Sequence, residues 1–191
     1  MILDFLFNFG KLKNVPRTGW LLRGINRSDV ESVADHSNRV ALICLIITNL
    51  IPERVDRERI FKMAVLHDLS ETLLLDIDKQ VANLFGNELK RRAEQSVENH
   101  IMKDLPPKLK KEYIDLLSEY HQGKTLESRI IKFSDKLETI LQALEYEKKG
   151  YSRETVKDFY DDLTNLDEFA RIQPIKEMIE NIKTMINTEK K

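Results

Sequence analysis

Apolar residues recur at helical spacing along nearly the whole chain, and no stretch keeps the apolar–polar alternation of a half-buried strand. That pattern argues against sheet architectures and predicts an all-α fold, a compact single-domain helical bundle over residues 1–191. The punctuation agrees. A short amphipathic helix is expected over residues 2–9. Residues 10–31 carry Gly10, Pro16, Gly19, Gly24 and Ser28-Asp29 and read as a loop. Ser32 and Asp35 form a capping-box pattern ahead of a helix to about Leu50, which stops before Pro52. Asp56 is a cap for a helix running to about Leu74. A helix over 79–103 is interrupted near Gly86, and Pro106-Pro107 opens one that reaches about Tyr120 before Gly123 breaks it. A long helix over 126–149 closes at Gly150, and stretches near 152–162 and 173–188 complete the chain.

Charge narrows the partners. Thirty-one basic and 32 acidic residues leave a formal net charge of −1. A general electrostatic footprint for a nucleic-acid polymer or an anionic membrane is therefore absent, while a local pocket for a small anion stays open. The apolar run VALICLIITNLI is about twelve residues, too short to span a bilayer. The N-terminal MILDFLFNFGKLK lacks a basic leader and a small-residue cleavage site, so it does not read as a signal peptide. The one cysteine, Cys44, sits in an apolar run as an inert core residue, and a reducing, cytoplasmic setting is expected.

Residues 63–77, MAVLHDLSETLLLDI, pose the chemical question. Treated as one helix over 57–74, Met63, Val65, Leu66, Leu69 and Leu73 cover a broad apolar side. His67 and Glu71 share the opposite strip with Asp68 beside them. Burying an unpartnered carboxylate costs several kcal/mol, roughly, so something must compensate. A divalent cation does this well, since carboxylates and neutral imidazole are both good ligands. The His67-Asp68 dipeptide alone is equally a hydrogen-bonded pair near a helix surface. His36 adds weight, because it lines up with Val40, Ile43 and Ile47 on an inward face, although a lone histidine there is more often a satisfied core residue. Asp135 lies opposite the main apolar stripe of its helix, with Ile131, Glu138 and Gln142. It reads as solvated unless that helix is central and its second face lines a cleft. His100 and His121 read as surface histidines.

Four stretches, LKNVPRTGW, ESVADHS, MAVLHDLSE and SDKLETILQALEYE, together resemble the HD-domain metal-dependent phosphohydrolases, and within them the 5′-deoxynucleotidase subgroup. The resemblance spans about residues 11–147. It implies a helical bundle of the HD-domain type, with a divalent cation (cobalt, manganese, zinc, nickel or magnesium) held by His36, His67, Asp68 and Asp135. It implies deoxyribonucleoside 5′-monophosphates as substrates, Glu71 and Asp76 in catalysis or at a second cation, Arg17 on the phosphate, Trp20 against the sugar, and a homodimer. Two departures stand out: the family often reads GDI where this chain has Leu75-Asp76-Ile77, and His121 stands where an acid is common. Other expectations remain beside the first: a related phosphohydrolase acting on a phosphodiester, triphosphate or alarmone, or a metal-stabilised nucleotide-binding module without turnover.

Overall fold

The computed structural model describes residues 1–188. Helices account for most of it: α1 (Ile2–Gly10), α2 (Thr18–Leu22), α3 (Val33–Leu50), α4 (Arg57–Leu66), α5 (Glu71–Leu74), α6 (Lys79–Phe85), α7 (Asn87–Ile101), α8 (Pro107–Gln122), α9 (Leu126–Lys148), α10 (Arg153–Val156) and α11 (Gln173–Thr188). The sole β pairing among the described residues is an isolated bridge between Pro16 and Ser32.

The caps are where the residue types put them. Ser32 and Asp35 close the capping box of α3, the Ser32 hydroxyl accepting from the Asp35 amide and the Asp35 carboxylate accepting from the Ser32 amide. Asp56 accepts the Arg59 amide at the start of α4. Gly123 ends α8 in the left-handed region at φ 64°, a conformation that a Cβ makes costly.

The long helix α9 is the axis of the molecule. It packs along α3 and also touches α4, α8 and the segment after α10. Val40 and Ile47 of α3, Met63 of α4, Leu117 of α8, and Ile130 and Ile140 of α9 are fully buried in one core cluster. Each such side chain contributes about 2 kcal/mol by leaving water. Because α9 is covered on two sides, its second strip is inside as well: Ile131, Glu138 and Gln142 are all buried. Asp135 of the same strip, expected to be solvated unless the strip lines a cleft, is part-buried and does line one.

Three element boundaries differ from the sequence reading. The helix expected from Asp56 to Leu74 ends at Leu66, and residues 67–70 form a turn before α5. Through this turn the bonds tighten to i→i−3: Leu69 to Leu66, Glu71 to Asp68, Thr72 to Leu69 and Leu73 to Ser70. A wheel drawn over 57–74 as one helix thus misplaces residues beyond His67. The second difference is in 10–31, where a 3₁₀ turn over Lys11–Asn14 and helix α2 interrupt the expected loop. The loop is stitched to the start of α3 by Arg17 N–H to Glu31 C=O (3.1 Å) and Val33 N–H to Val15 C=O (2.8 Å). Third, the stretch near 152–162 is α-helical only over α10 and continues as 3₁₀ turns through Lys157–Phe169. Tyr160, Leu163, Leu166 and Phe169 explain this. They recur every third residue, the repeat of a 3₁₀ helix, and all four pack on the core.

Candidate metal centre

Two histidines on different helices point one nitrogen each at the same place. His67, at the end of α4, has Nδ1 2.7 Å from the carbonyl oxygen of Ala64. A carbonyl only accepts, so Nδ1 carries the hydrogen and the lone pair lies on Nε2. His36, in the first turns of α3 and wholly buried, makes a very short Nδ1 contact with the Glu138 carboxylate, which leaves its Nε2 free in the same sense. Ligand atoms of His36, His67 and Asp135 lie within 4.8 Å of one another. Asp68 completes the group, with Oδ2 3.0 Å from His67 Nε2 and 3.8 Å from His36 Nε2; Asp135 Oδ1 is 3.1 Å from His36 Nε2. The four residues singled out as ligands in the sequence are thus brought together.

The residues present fit a cation. His36 Nε2, His67 Nε2, Asp68 Oδ2 and Glu71 Oε2 are all shielded from solvent without a hydrogen-bond partner. Buried polar atoms of that kind are costly, and four converging in one spot call for a shared partner. The charges agree. Burial and Arg17 pull the His36 imidazole down, but Glu138 and Asp135 outweigh them and push it up to about 10. A cation replaces the proton these carboxylates would otherwise attract. Burial raises Asp68, yet His67, His36 and Arg17 hold it well below the usual carboxylate range. Glu71 behaves oppositely: burial first, then Asp68 and Asp76, raise it well above the usual value.

The other singled-out residues surround this cluster. Arg17, Glu71 and Asp76 line the same cleft, whose volume is about 750 Å³. Arg17 donates to Thr139 Oγ1 (3.3 Å), and the nearby carboxylates of Asp76 and Asp135 keep it firmly charged despite its burial. Asp76 is partly committed: its Oδ2 accepts the Thr18 amide at 2.5 Å, capping α2, while the Thr18 hydroxyl donates to the Asp76 carbonyl oxygen. Trp20 reaches the cleft wall but is only 1 % exposed. Its indole N–H donates to Glu31 (3.0 Å), Tyr146 meets it edge-on, and Phe159 lies across it with ring centroids 3.8 Å apart.

Several residues of the site escaped the sequence reading. Glu138 is the main one. It binds the outer nitrogen of His36 and accepts from Arg39 Nε and Nη2 at 3.0 and 2.8 Å. Such outer carboxylates fix the tautomer and orientation of a ligating histidine. The signal was there: Glu138 follows Asp135 by one helical turn and shares its strip, but pattern alone made that strip look wet. Tyr120 was missed too; its ring stands 5.5 Å from that of His67. His121, expected at the surface, lines the cleft and is paired with buried Glu98 at 2.8 Å, whereas His100 is exposed as expected.

An all-helical bundle that buries two outward-braced imidazoles and gathers two aspartates with them around one point defines a metal-centre protein of the hydrolase type. The comparisons with known proteins specify which. The HD-domain family model matches residues 9–172, and the chain belongs to the HD-domain family, whose cofactor is a metal ion. It is 37% identical over 160 residues to human 5′-deoxynucleotidase HDDC2, covering 84% of this chain and 75% of the relative. Against 5′-deoxynucleotidase HDDC2 of Dictyostelium discoideum it is 38% identical over 167 residues, 83% and 86% of the two chains. A conserved hypothetical protein from Pyrococcus furiosus has a similar structure, with a TM-score of 0.79 at 36% identity over 95% of this chain and 99% of the other. No described helix is long and apolar enough to cross a membrane.

Proposed function

We propose that this chain is a metal-dependent 5′-deoxynucleotidase, which hydrolyses deoxyribonucleoside 5′-monophosphates with water to a deoxynucleoside and phosphate. The observation that carries the reading is the convergence of His36, His67, Asp68 and Asp135, the first three with unsatisfied buried ligand atoms, at the wall of a cleft that Arg17 also lines. A relative 37% identical over 160 residues bears that activity in its name.

A divalent cation at these four residues supplies positive charge to the phosphoryl group and lowers the pKa of water. The chain's own groups do the rest. Arg17 offers a planar guanidinium to the phosphate oxygens, a fork suited to bidentate contact. Glu71 directs an unpartnered oxygen into the same space, where it can take up the proton lost by the attacking water. The departing 5′-oxygen takes that proton back, relayed from Glu71 through Asp76 Oδ1, which is left for the task because Oδ2 is held by Thr18. Trp20, packed between Tyr146 and Phe159 and 1 % exposed, backs the apolar part of the cleft wall from behind.

The rest of the reading concerns the whole molecule. Residues 1–191 act as one unit, a view supported by a core cluster that runs from Phe5 to Ile182. The protein is a homodimer of a reducing cytoplasm. Exposed Leu42, Leu45 and Phe61 flank an apolar groove suited to self-association, and the lone Cys44 is buried. Purified protein with Co²⁺ or Mn²⁺, assayed for phosphate release from a panel of nucleoside monophosphates, tests the activity. Release from deoxynucleotides well ahead of ribonucleotides is expected; none from any deoxynucleotide, with metal bound, overturns it. Light scattering tests the dimer.

A further inference from the structure

The cleft has a second charged end that the proposed reaction does not use. Lys90 and Arg91 of α7 and Lys132 and Lys136 of α9 all line it, and all four are half-buried. Their counter-charges are few. Glu94 lies 3.6 Å from Lys90 and 3.9 Å from Arg91, and Glu98 is taken up by His121. Among the described residues no carboxylate comes within 4.0 Å of the Lys132 or Lys136 ammonium. Lys132 Nζ reaches the His121 carbonyl oxygen, at 3.4 Å, and lies 5.8 Å from the centre of the Tyr120 ring. Arg91 Nη1 is shielded from water without any hydrogen-bond partner. Burial, with Lys136 and Arg91 beside it, lowers the Lys132 ammonium despite Asp135, and burial lowers the Arg91 guanidinium despite Glu98 and Glu94. Like charges gathered in a partly dry cleft with an orphaned guanidinium donor are arranged for an anion.

Position along α9 separates this end from the one assigned to the scissile phosphate. Arg17 meets α9 at Thr139, four residues beyond Asp135, whereas Lys132 lies three residues before it. At 1.5 Å per residue the two levels stand about 10 Å apart along the helix, with the metal centre between them. The substrate's 5′-phosphate engages the Arg17 end, so the other end is free for a different anionic group.

We propose that Lys90, Arg91, Lys132 and Lys136 form an anion subsite for a second phosphate carried by the substrate, such as the 3′-phosphate of a deoxynucleoside 3′,5′-bisphosphate. The proposal rests on the nucleotidase reading for the first phosphate. The 3′-phosphate is bound, not cleaved, and the 5′-phosphate is hydrolysed as before.

The test compares thymidine 3′,5′-bisphosphate with thymidine 5′-monophosphate, using the metal-loaded wild-type protein and a Lys90→Ala/Arg91→Gln double variant. Both positions are partly exposed on a helix and both replacements are good helix formers, so circular dichroism should be unchanged. The wild type should show kcat/KM at least tenfold higher for the bisphosphate, through KM. The double variant should reduce that advantage below threefold while kcat/KM for the monophosphate stays within twofold. Equal kcat/KM for the two substrates in the wild type overturns the subsite, as does an equal loss on both substrates in the variant. If neither compound is hydrolysed, the nucleotidase reading has failed on its own. Calorimetry then decides the subsite: tighter binding of the bisphosphate, weakened by the variant, supports it, and equal affinities overturn it.

Discussion

Glu138→Gln isolates the carboxylate that braces His36. The side chain is completely buried and makes two kinds of contact, one to His36 Nδ1 and two to Arg39. Arg39 retains Glu145 at 2.6 Å and the Gln142 side-chain oxygen at 2.5 Å, so the substitution does not strand its charge. The loss should therefore fall on the metal centre. A glutamine oxygen can still accept the Nδ1 hydrogen, but its neutral amide no longer raises the basicity of the ring. Outer-partner changes of this kind weaken metal binding by about 10–100-fold. With geometry kept and charge lost, roughly 30-fold is expected, or about 2 kcal/mol at ~1.4 kcal/mol per tenfold. Glu138→Leu, which has no acceptor at all, frees the imidazole to turn and should fall at the upper end or beyond. Titration calorimetry with Co²⁺ reads the affinity, and thermal melts of the metal-free variants separate binding from folding. If both variants bind Co²⁺ within twofold of wild type while remaining folded, Glu138 does not orient a metal ligand and the reasoning is refuted.

Asp68→Ala and His67→Ala should each abolish phosphate release and lose most bound metal by elemental analysis, with the helical circular dichroism largely intact; full metal content in either variant would contradict the cluster. Leu75 is the one non-glycine residue at positive φ among the described residues, at φ 62° and ψ 172°, a region essentially reserved for glycine. It is 56 % exposed, so Leu75→Gly forfeits little packing and should gain about 1 kcal/mol in urea unfolding, with kcat unchanged. A loss of stability would show that the Leu75 side chain matters more than its backbone. Glu31 supplies a pH test on the metal-free protein. Burial first, then Glu138, push its carboxyl up to about 7 against the pull of Arg17. The folded state thus holds this proton more tightly than the unfolded chain, so the group lowers stability as pH rises from 4.5 to about 7. Glu31→Gln keeps an acceptor for the Trp20 indole and should stabilise by roughly 2 kcal/mol at pH 8, discounted for the lost attraction to Arg17, with the gain vanishing below pH 4.5. A gain independent of pH refutes the titration argument.

Much of this molecule was legible in residue order. Helical periodicity excluded a sheet, and Ser32, Asp56, Pro107 and Gly123 marked helix ends because capping and backbone preferences are local. His67 and Asp68 stood out as polar groups in an apolar run and His36 as an imidazole on an inward face, whereas Asp135, opposite the apolar stripe of its helix, was picked out only by the resemblance of its stretch to the HD-domain phosphohydrolases. The loss of glycine at position 75 was legible too, and the backbone strain there is its consequence.

Tertiary packing decided the rest. The turn over residues 67–70 breaks a helix that periodicity extends to Leu74, and no local signal announces it. Whether the strip of Asp135 and Glu138 is wet or buried depends on how many neighbours α9 has, a property of the assembled bundle that one helix's pattern cannot encode. Glu138 at the back of His36, and the gathering of Lys90 and Arg91 opposite Lys132 and Lys136, are likewise contacts between helices far apart along the chain. Propensity acts over a few residues, whereas metal geometry and charge clustering arise only when distant side chains are brought within a few ångströms of each other.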